Sequence, residues 1–413
     1  MLPFATRDGL GASFPDALFT AISATCVTGL VVRDTATTWS GFGQAALLVM
    51  IQVGGMGVVT MAVAIATVSG KKISLMQRST MQEAISAPKV GGIVQLTGFI
   101  LRLTFLFEAL GAAALATVFI PRFGLWKGVW YSVFHAVSAF CNAGFDLMGA
   151  QEPFSSLTGF AAQPVVNVAL MLLIVIGGIG FLTWEDVITN RLHVRRYRMQ
   201  TKVILVSAAV LVLLPAVYLF FFELGELPLT ERVWTALFQS VTMRTAGFNT
   251  VDLAEISESG QAMMIVLMLT GGAPGSTAGG MKTTTLVVML STAAAVFGRH
   301  ADTRLFGRRI DDDTVRRAAT ILTLYLLLFL IGGCLISRIE SLPLTSCLFE
   351  TASAVGTVGV TLGLTPSLGM ASRVILMLLM FFGRVGGLTL IFAALAGYHP
   401  DRSKLPQERL TVG

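Results

Sequence analysis

The hydrophobic positions of this chain fall into long apolar runs separated by short polar intervals. A helix needs about 20 predominantly apolar residues to cross a hydrocarbon layer, and the runs over 42–68, 93–120, 164–188, 201–222, 261–297, 314–337 and 370–397 meet that length. The pattern therefore predicts seven membrane spans.

The polar intervals alternate in character. Every second one is basic, with Lys71, Lys72, Arg78 and Lys89, then Arg191, Arg195, Arg196, Arg198 and Lys202, then Arg299, Arg304, Arg308, Arg309, Arg316 and Arg317; Arg402, Lys404 and Arg409 follow in the tail. Basic loops stay in the cytoplasm, which puts these intervals and the C-terminus inside. The opposite connections carry Asp16, Asp34, Asp146, Glu152, Glu223, Glu226, Glu231, Asp252, Glu255, Glu258, Glu340 and Glu350. An acidic outer face either concentrates cations through its summed field or is merely a set of solvated loops.

Composition agrees with the runs. Charged residues make up 13% of the chain against about 25% in soluble domains, and the mean hydropathy is +0.77. So little charge cannot cover a water-soluble surface, and so many apolar runs exclude disorder. Cys26, Cys141, Cys334 and Cys347 stand alone without metal-ligand spacing and read as free thiols. The opening Met1-Leu2-Pro3-Phe4 has no basic region ahead of an apolar stretch, so it is not read as a signal peptide.

The outer connections are too apolar and too alike to be plain loops. Residues 18–32, 133–147, 237–250 and 348–362 each begin near a Phe, pass through a Ser, Thr and Ala cluster, and reach a Gly followed by an apolar residue. The offset is ten residues from Phe19, Phe134 and Phe349 to Gly29, Gly144 and Gly359, and nine from Phe238 to Gly247. A second mark recurs downstream, at Gly54-Gly55-Met56-Gly57, Gly177-Gly178-Ile179-Gly180, Gly271-Gly272-Ala273-Pro274-Gly275 and Gly383-Arg384-Val385-Gly386-Gly387. One such cluster alone would be an ordinary helix-packing face. Four in order predict a repeated unit of helix, re-entrant segment, helix.

A helix of about 12 residues rises about 18 Å, short of the roughly 30 Å hydrocarbon thickness, so it dips in and returns. The unpaired backbone of the return is tolerated at that depth only where it lines a watery cavity or is buried in protein. Four returns converging on one axis would stack their carbonyls into rings, and such rings replace the water of an alkali cation. The expected architecture is an all-α membrane protein with four pseudo-symmetric helix–pore-loop–helix repeats around one central pore. The repeats run over 1–70, 71–190, 191–298 and 299–399, with a cytoplasmic tail over 400–413.

Four segments carry a family likeness: Cys26-Val27-Thr28-Gly29-Leu30, Cys141-Asn142-Ala143-Gly144-Phe145, Arg244-Thr245-Ala246-Gly247-Phe248 and Gly356-Thr357-Val358-Gly359-Val360. They resemble the filters of the Trk/Ktr/HKT superfamily of potassium transporters, and the likeness, extending to the ending Leu410-Thr411-Val412-Gly413, points to the bacterial Ktr branch. The resemblance implies a symporter-like or channel-like potassium uptake subunit of the bacterial inner membrane, with sodium dependence. A less selective K⁺/Na⁺ transporter of the TrkH or HKT type is the alternative. The ion-binding carbonyls implied are those of Val27, Thr28, Gly29, Asn142, Ala143, Gly144, Thr245, Ala246, Gly247, Thr357, Val358 and Gly359. With one Gly per copy where a potassium channel has T-V-G-Y-G, weaker discrimination against sodium is expected. The implied partners are a second copy of the chain and a cytoplasmic nucleotide-binding ring of KtrA type. Members of the superfamily open with a full helix before the first pore segment, and this sequence begins near where that helix would end. The first copy is accordingly expected without its outer helix.

The third copy differs, because the run 270–283 interrupts its inner span with Gly and Pro, which cannot remain regularly helical. The resemblance assigns this run as an intramembrane gate loop beneath the filter, with Gly271, Gly272, Gly275, Ser276, Thr277, Gly279, Gly280 and Lys282. A phosphate-binding loop is excluded because Met281 separates Gly280 from Lys282, and a nucleophile elbow because Pro274 and Ala278 stand at its Gly positions. Arg384 lies well inside the last span, where an arginine costs at least about 2.5 to 3.5 kcal/mol, and is expected to face the pore and bond the gate loop. Arg244, at the third filter's entrance, is expected behind the filter. Arg102 and Glu108 are not expected to pair, and His135 reads as a packing residue. No catalytic constellation stands in the spans, so the chain is not read as an enzyme, and a secondary transporter would show inverted halves rather than four copies in one orientation.

Overall fold

The computed structural model describes residues 1–57, 60–61, 93–150, 152–191 and 193–386. Outside the described residues lie the basic stretch from Lys71 to Lys89, the tail with Arg402, Lys404 and Arg409, the terminal Leu410–Gly413, Gly387, and parts of the spans expected at 42–68 and 370–397.

Four short helices precede the four glycine segments: α1 (Phe14–Thr25), α4 (Leu125–Phe140), α8 (Leu229–Thr242) and α12 (Leu344–Gly356). None exceeds 16 residues, so none spans a bilayer. The Ser13 side chain starts α1 by accepting from the Asp16 amide, satisfying one of the orphan donors of a helix N-terminus. Phe19, Phe134, Phe238 and Phe349 are at most 1% exposed, so the recurrent Phe anchors each short helix in the core.

Between these helices run α2 (Gly41–Met56), α3 (Ile93–Phe123), α5 (Pro164–Gly178), α6 (Phe181–Asn190), α7 (Met199–Tyr218), α9 (Glu258–Leu269), α10 (Thr283–Phe297), α11 (Asp312–Glu340) and α13 (Met370–Val385). Among the described residues, three helices are long and apolar enough to cross a membrane: Val94–Phe123, Met199–Glu223 and Asp312–Glu340. Pro215 leaves the Leu211 carbonyl of α7 without its helical donor, and the Ser240 hydroxyl of α8 reaches that carbonyl at 3.4 Å and the adjacent Val212 carbonyl at 2.6 Å. A freed carbonyl at membrane depth thus finds a partner on the neighbouring short helix.

Two features depart from the sequence expectation. The span expected at 164–188 is not one rod, because α5 and α6 meet at 96°. Gly180 takes φ +88° at the corner, and the carbonyls released by α5 are captured from afar: Ala273 donates to Gly178 and Thr277 to Gly177, at 2.9 and 3.2 Å. The interval between α10 and α11 is not wholly irregular, since Arg304–Leu305 and Arg308–Arg309 pair as a two-stranded antiparallel hairpin.

Candidate functional site

Each short helix hands over to its glycine segment in the same way. The residue two before the glycine takes a left-handed conformation, with φ 56° at Val27, 57° at Asn142, 69° at Thr245 and 51° at Thr357, and the glycine again has positive φ. The amide between them folds back on the helix: Thr28 to Ser23, Ala143 to Ser138, Ala246 to Thr242 and Val358 to Ser353, all at 2.7 to 2.9 Å. Among the described residues, none of the twelve carbonyls named above accepts a hydrogen bond.

The four glycines close on one another in chain order. A Cβ on Gly29 would stand 2.5 Å from the Ala143 oxygen, one on Gly144 2.7 Å from the Gly247 Cα, and one on Gly247 2.5 Å from the Val358 oxygen. One on Gly359 would collide with the Thr28 carbonyl, which completes the circuit. Here glycine is required twice over, by its φ and by the approach of the next backbone.

The downstream glycines serve the same assembly. A side chain on Gly54, Gly177 or Gly383 would strike the carbonyl of Thr25, Phe140 or Val355, in each case the sixth residue after the signature Phe. These glycines let α2, α5 and α13 pass against the last turns of α1, α4 and α12.

The run 270–282 lies against this ring. Gly280 donates to the Gly383 carbonyl at 3.0 Å, and the Phe181 amide donates to Gly275 at 2.9 Å. The Thr277 hydroxyl donates to Phe140 at 2.9 Å, the last helical residue before the second glycine segment, and lies 3.3 Å from Asn142 Oδ1. A side chain on Gly279 would strike Thr357. Ser276 Oγ bonds the Ala273 carbonyl at 2.6 Å, and Lys282 Nζ bonds that of Ala278 at 2.8 Å. Arg384 donates to the carbonyls of Thr277 and Gly54 and, at 2.9 Å, to that of Gly55. Its guanidinium therefore ties the loop to the end of α2. Gly271 and Gly272 sit at the root, where Gly271 donates to Met281 and Thr283 donates to Gly272. The Arg244 guanidinium reaches the Thr283 hydroxyl at 3.4 Å and lines a small cavity with Ile174, Val212 and Gly272.

Sequence reasoning missed three things here. A hydroxyl stands four residues after each signature Phe, at Ser23, Ser138, Thr242 and Ser353. Ser23 and Ser353 accept from the amides of Gly29 and Gly359, while Ser138 and Thr242 donate to the carbonyls of Phe145 and Phe248. The fixed offset was visible in the sequence, where the residues read only as a small-residue cluster. Second, part of the acidic set is not outer solvated surface. Asp16 is paired with Arg33 and Arg373 at 2.7 and 3.0 Å, and Glu350 is wholly buried. Third, His135 makes two buried bonds, to the Tyr131 carbonyl at 2.7 Å and from the Leu147 amide at 3.3 Å, so its packing is directional. Arg102 is exposed and Glu108 buried, and no ion pair joins them among the described residues.

Long apolar helices around a buried ring of glycine backbone define a multi-pass, mostly helical membrane transport protein. The chain belongs to the TrkH family of cation transport proteins, whose family model matches residues 4–403. It is 38% identical to the potassium/sodium uptake protein NtpJ of Enterococcus hirae, over 100% of this chain and 92% of that one. It is 37% identical to the Ktr system potassium uptake protein B of Bacillus subtilis, over 95% and 88%. Among solved structures, the potassium transporter TrkH from Vibrio parahaemolyticus superposes with a TM-score of 0.72 at 19% identity, covering 95% of this chain and 82% of that one. That likeness concerns the fold. The family is one of transporters, not of enzymes.

Proposed function

We propose that this chain is the membrane subunit of a potassium uptake system, in which four pseudo-symmetric repeats surround one pore. The repeats are those bounded at 70, 190, 298 and 399. The observation that carries the reading is the closed circuit of Gly29, Gly144, Gly247 and Gly359, with twelve carbonyls that receive no hydrogen bond from the described residues. Backbone oxygens so presented replace the hydration of a monovalent cation, and K⁺ is the transported ion. The run 270–283 is the gate, and Arg384 latches it by holding Thr277 against Gly54 and Gly55. A guanidinium at this depth also sets an electrostatic barrier below the filter.

In this reading the chain forms a homodimer on a cytoplasmic ring of KtrA type, because nothing in its cytoplasmic intervals is large enough to bind a nucleotide alone. The C-terminus is cytoplasmic, in the bacterial inner membrane, and uptake is sodium-dependent. The name of the B. subtilis relative supports the Ktr assignment. A second reading, a less selective K⁺/Na⁺ pathway, is favoured by the single glycine per filter segment and by the potassium/sodium name of the E. hirae relative.

Flux into liposomes with K⁺, Rb⁺ and Na⁺ separates the two, with Gly359→Ser beside the unsubstituted chain. The first reading expects K⁺ and Rb⁺ flux well above Na⁺, and loss of that preference in Gly359→Ser. Comparable K⁺ and Na⁺ flux in the unsubstituted chain supports the second. Flux indifferent to Gly359→Ser removes both, because the glycine circuit would not be the path.

A further inference from the structure

The residue directly after each signature Phe is polar and buried: Thr20 at 2% exposure, and His135, Gln239 and Glu350 at 0%. In three copies this side chain crosses from the short helix to the residue three beyond the filter glycine. His135 Nε2 accepts from the Leu147 amide at 3.3 Å. Gln239 Nε2 lies 3.5 Å from the Thr250 hydroxyl. Glu350 Oε1 accepts from the Leu362 amide at 3.1 Å and from the Thr361 hydroxyl, and its Oε2 accepts from the Thr365 hydroxyl at 2.6 Å. In the first copy Thr20 is too short and donates back to its own helix, to Asp16 at 2.8 Å.

We infer that this position braces the outer end of each filter segment against its short helix, and that Glu350 is the dominant brace and a positioning residue for ion discrimination. The inference deepens the reading of the glycine circuit as the ion path and rests on it. The strength of the brace is graded round the ring. The fourth copy is held by three donors, the second by one amide, the third by one contact at the limit of bonding length, and the first by none. The hydroxyl behind the glycine is shared by the first and fourth copies, where Ser23 and Ser353 accept from the Gly29 and Gly359 amides at 3.1 and 3.0 Å, so the brace beyond the glycine is what sets the two apart.

A filter discriminates ions by size only as far as its walls resist collapsing onto the smaller one. A wall clamped at both ends resists, and one that is free follows the ion. Burying a carboxylate is costly unless donors surround it, and a neutral side chain would supply a single bond more cheaply. What a carboxylate adds is two oxygens able to hold three donors at once, spread over residues 361 to 365. This geometry predicts that discrimination depends on the fourth segment more than on the first.

The test is liposome flux of K⁺ and Na⁺ for Glu350→Gln and for the double variant Thr361→Val/Thr365→Val, which keeps the carboxylate and removes two of its donors. Both are expected to lower the K⁺ over Na⁺ preference by about fivefold to tenfold, the ratio corresponding to one or two hydrogen bonds. Maximal K⁺ flux and the amount of protein in the membrane should stay within about twofold, which loss of fold would not allow. Should Glu350→Gln not accumulate, Thr361→Val alone, at a partly exposed residue, carries the same expectation at about threefold. An unchanged preference in these variants overturns the brace. A shift in Glu350→Gln with none in the threonine variants also overturns it, since the carboxylate would then act by charge alone. The control is Gly359→Ser: if flux ignores that substitution, the ion-path reading fails, whereas if it responds and the braces do not, only this inference falls.

Discussion

At the scale of single residues, the site depends on backbone that side chains ordinarily forbid. Val27, Asn142, Thr245 and Thr357 hold left-handed conformations, each costing about 1 to 3 kcal/mol, and three of the four are β-branched. They persist because the hydroxyl and carbonyl of the residue four beyond the signature Phe over-determine each turn. Ser353→Ala therefore leaves the Gly359 amide buried without its partner, at a cost of about 1 to 3 kcal/mol. The expected outcome is a lower melting temperature in detergent that added K⁺ restores less than in the unsubstituted chain. The four glycines that close on one another were legible because a required glycine leaves a fixed offset. The buried state of Glu350 was not, because an acid in an outer connection reads as solvated until the loop that covers it is placed.

At the scale of elements, the run 270–282 shows what local sequence reveals and what it cannot. Its glycines and Pro274 announce an interruption wherever they stand. The bend between α5 and α6 was illegible, because Gly177-Gly178-Ile179-Gly180 reads equally as a packing face. What breaks that helix is a loop some ninety residues later, whose Ala273 and Thr277 amides take its carbonyls. Loop and bend are thus one element, and the bonds holding them decide how readily the loop moves. Arg384→Gln loses the fork that reaches Thr277, Gly54 and Gly55 together, and a planar five-donor group has no substitute among shorter side chains. Flux should rise by about an order of magnitude if the latch is worth about 1.4 kcal/mol. Thr277→Val removes the hydroxyl bonds to Phe140 and Asn142 and should raise it by a smaller factor. Equal flux in all three proteins at matched amounts would show that the loop does not limit passage.

At the scale of the whole molecule, the proposed ring of four repeats needs four joints, and the contacts available to serve as joints differ in kind. The first and second units meet where Asp34 Oδ2 accepts from the Phe154 amide at 3.0 Å. The second and third meet where Leu157 donates to Asn249 at 2.9 Å. The third and fourth are packed backbone to backbone, since a side chain on Gly356 would strike the Met268 carbonyl. Among the described residues, only the joint that returns the ring to its start holds an ion pair. Asp16, in the first turn of α1, holds Arg373 of α13 at 3.0 Å and Arg33 at 2.7 Å. Arg373 is fixed in turn by donating to the carbonyls of Leu368 and Pro366. The side chains of Asp16 and Arg373 are 10% and 20% exposed, so breaking their pair costs between the exposed and buried extremes, about 1 to 4 kcal/mol. Asp16→Asn keeps the shape and removes the charge, so the closing joint should weaken while the other three hold. The expected result is a lower melting temperature and faster proteolysis at α1 and α13, with α4 to α9 protected as before. Because the pair is largely shielded from solvent, the difference should survive 0.5 M salt, which would erase that of an exposed pair. Uniform loss of protection along the chain would mean instead that Asp16 supports the general packing and closes nothing.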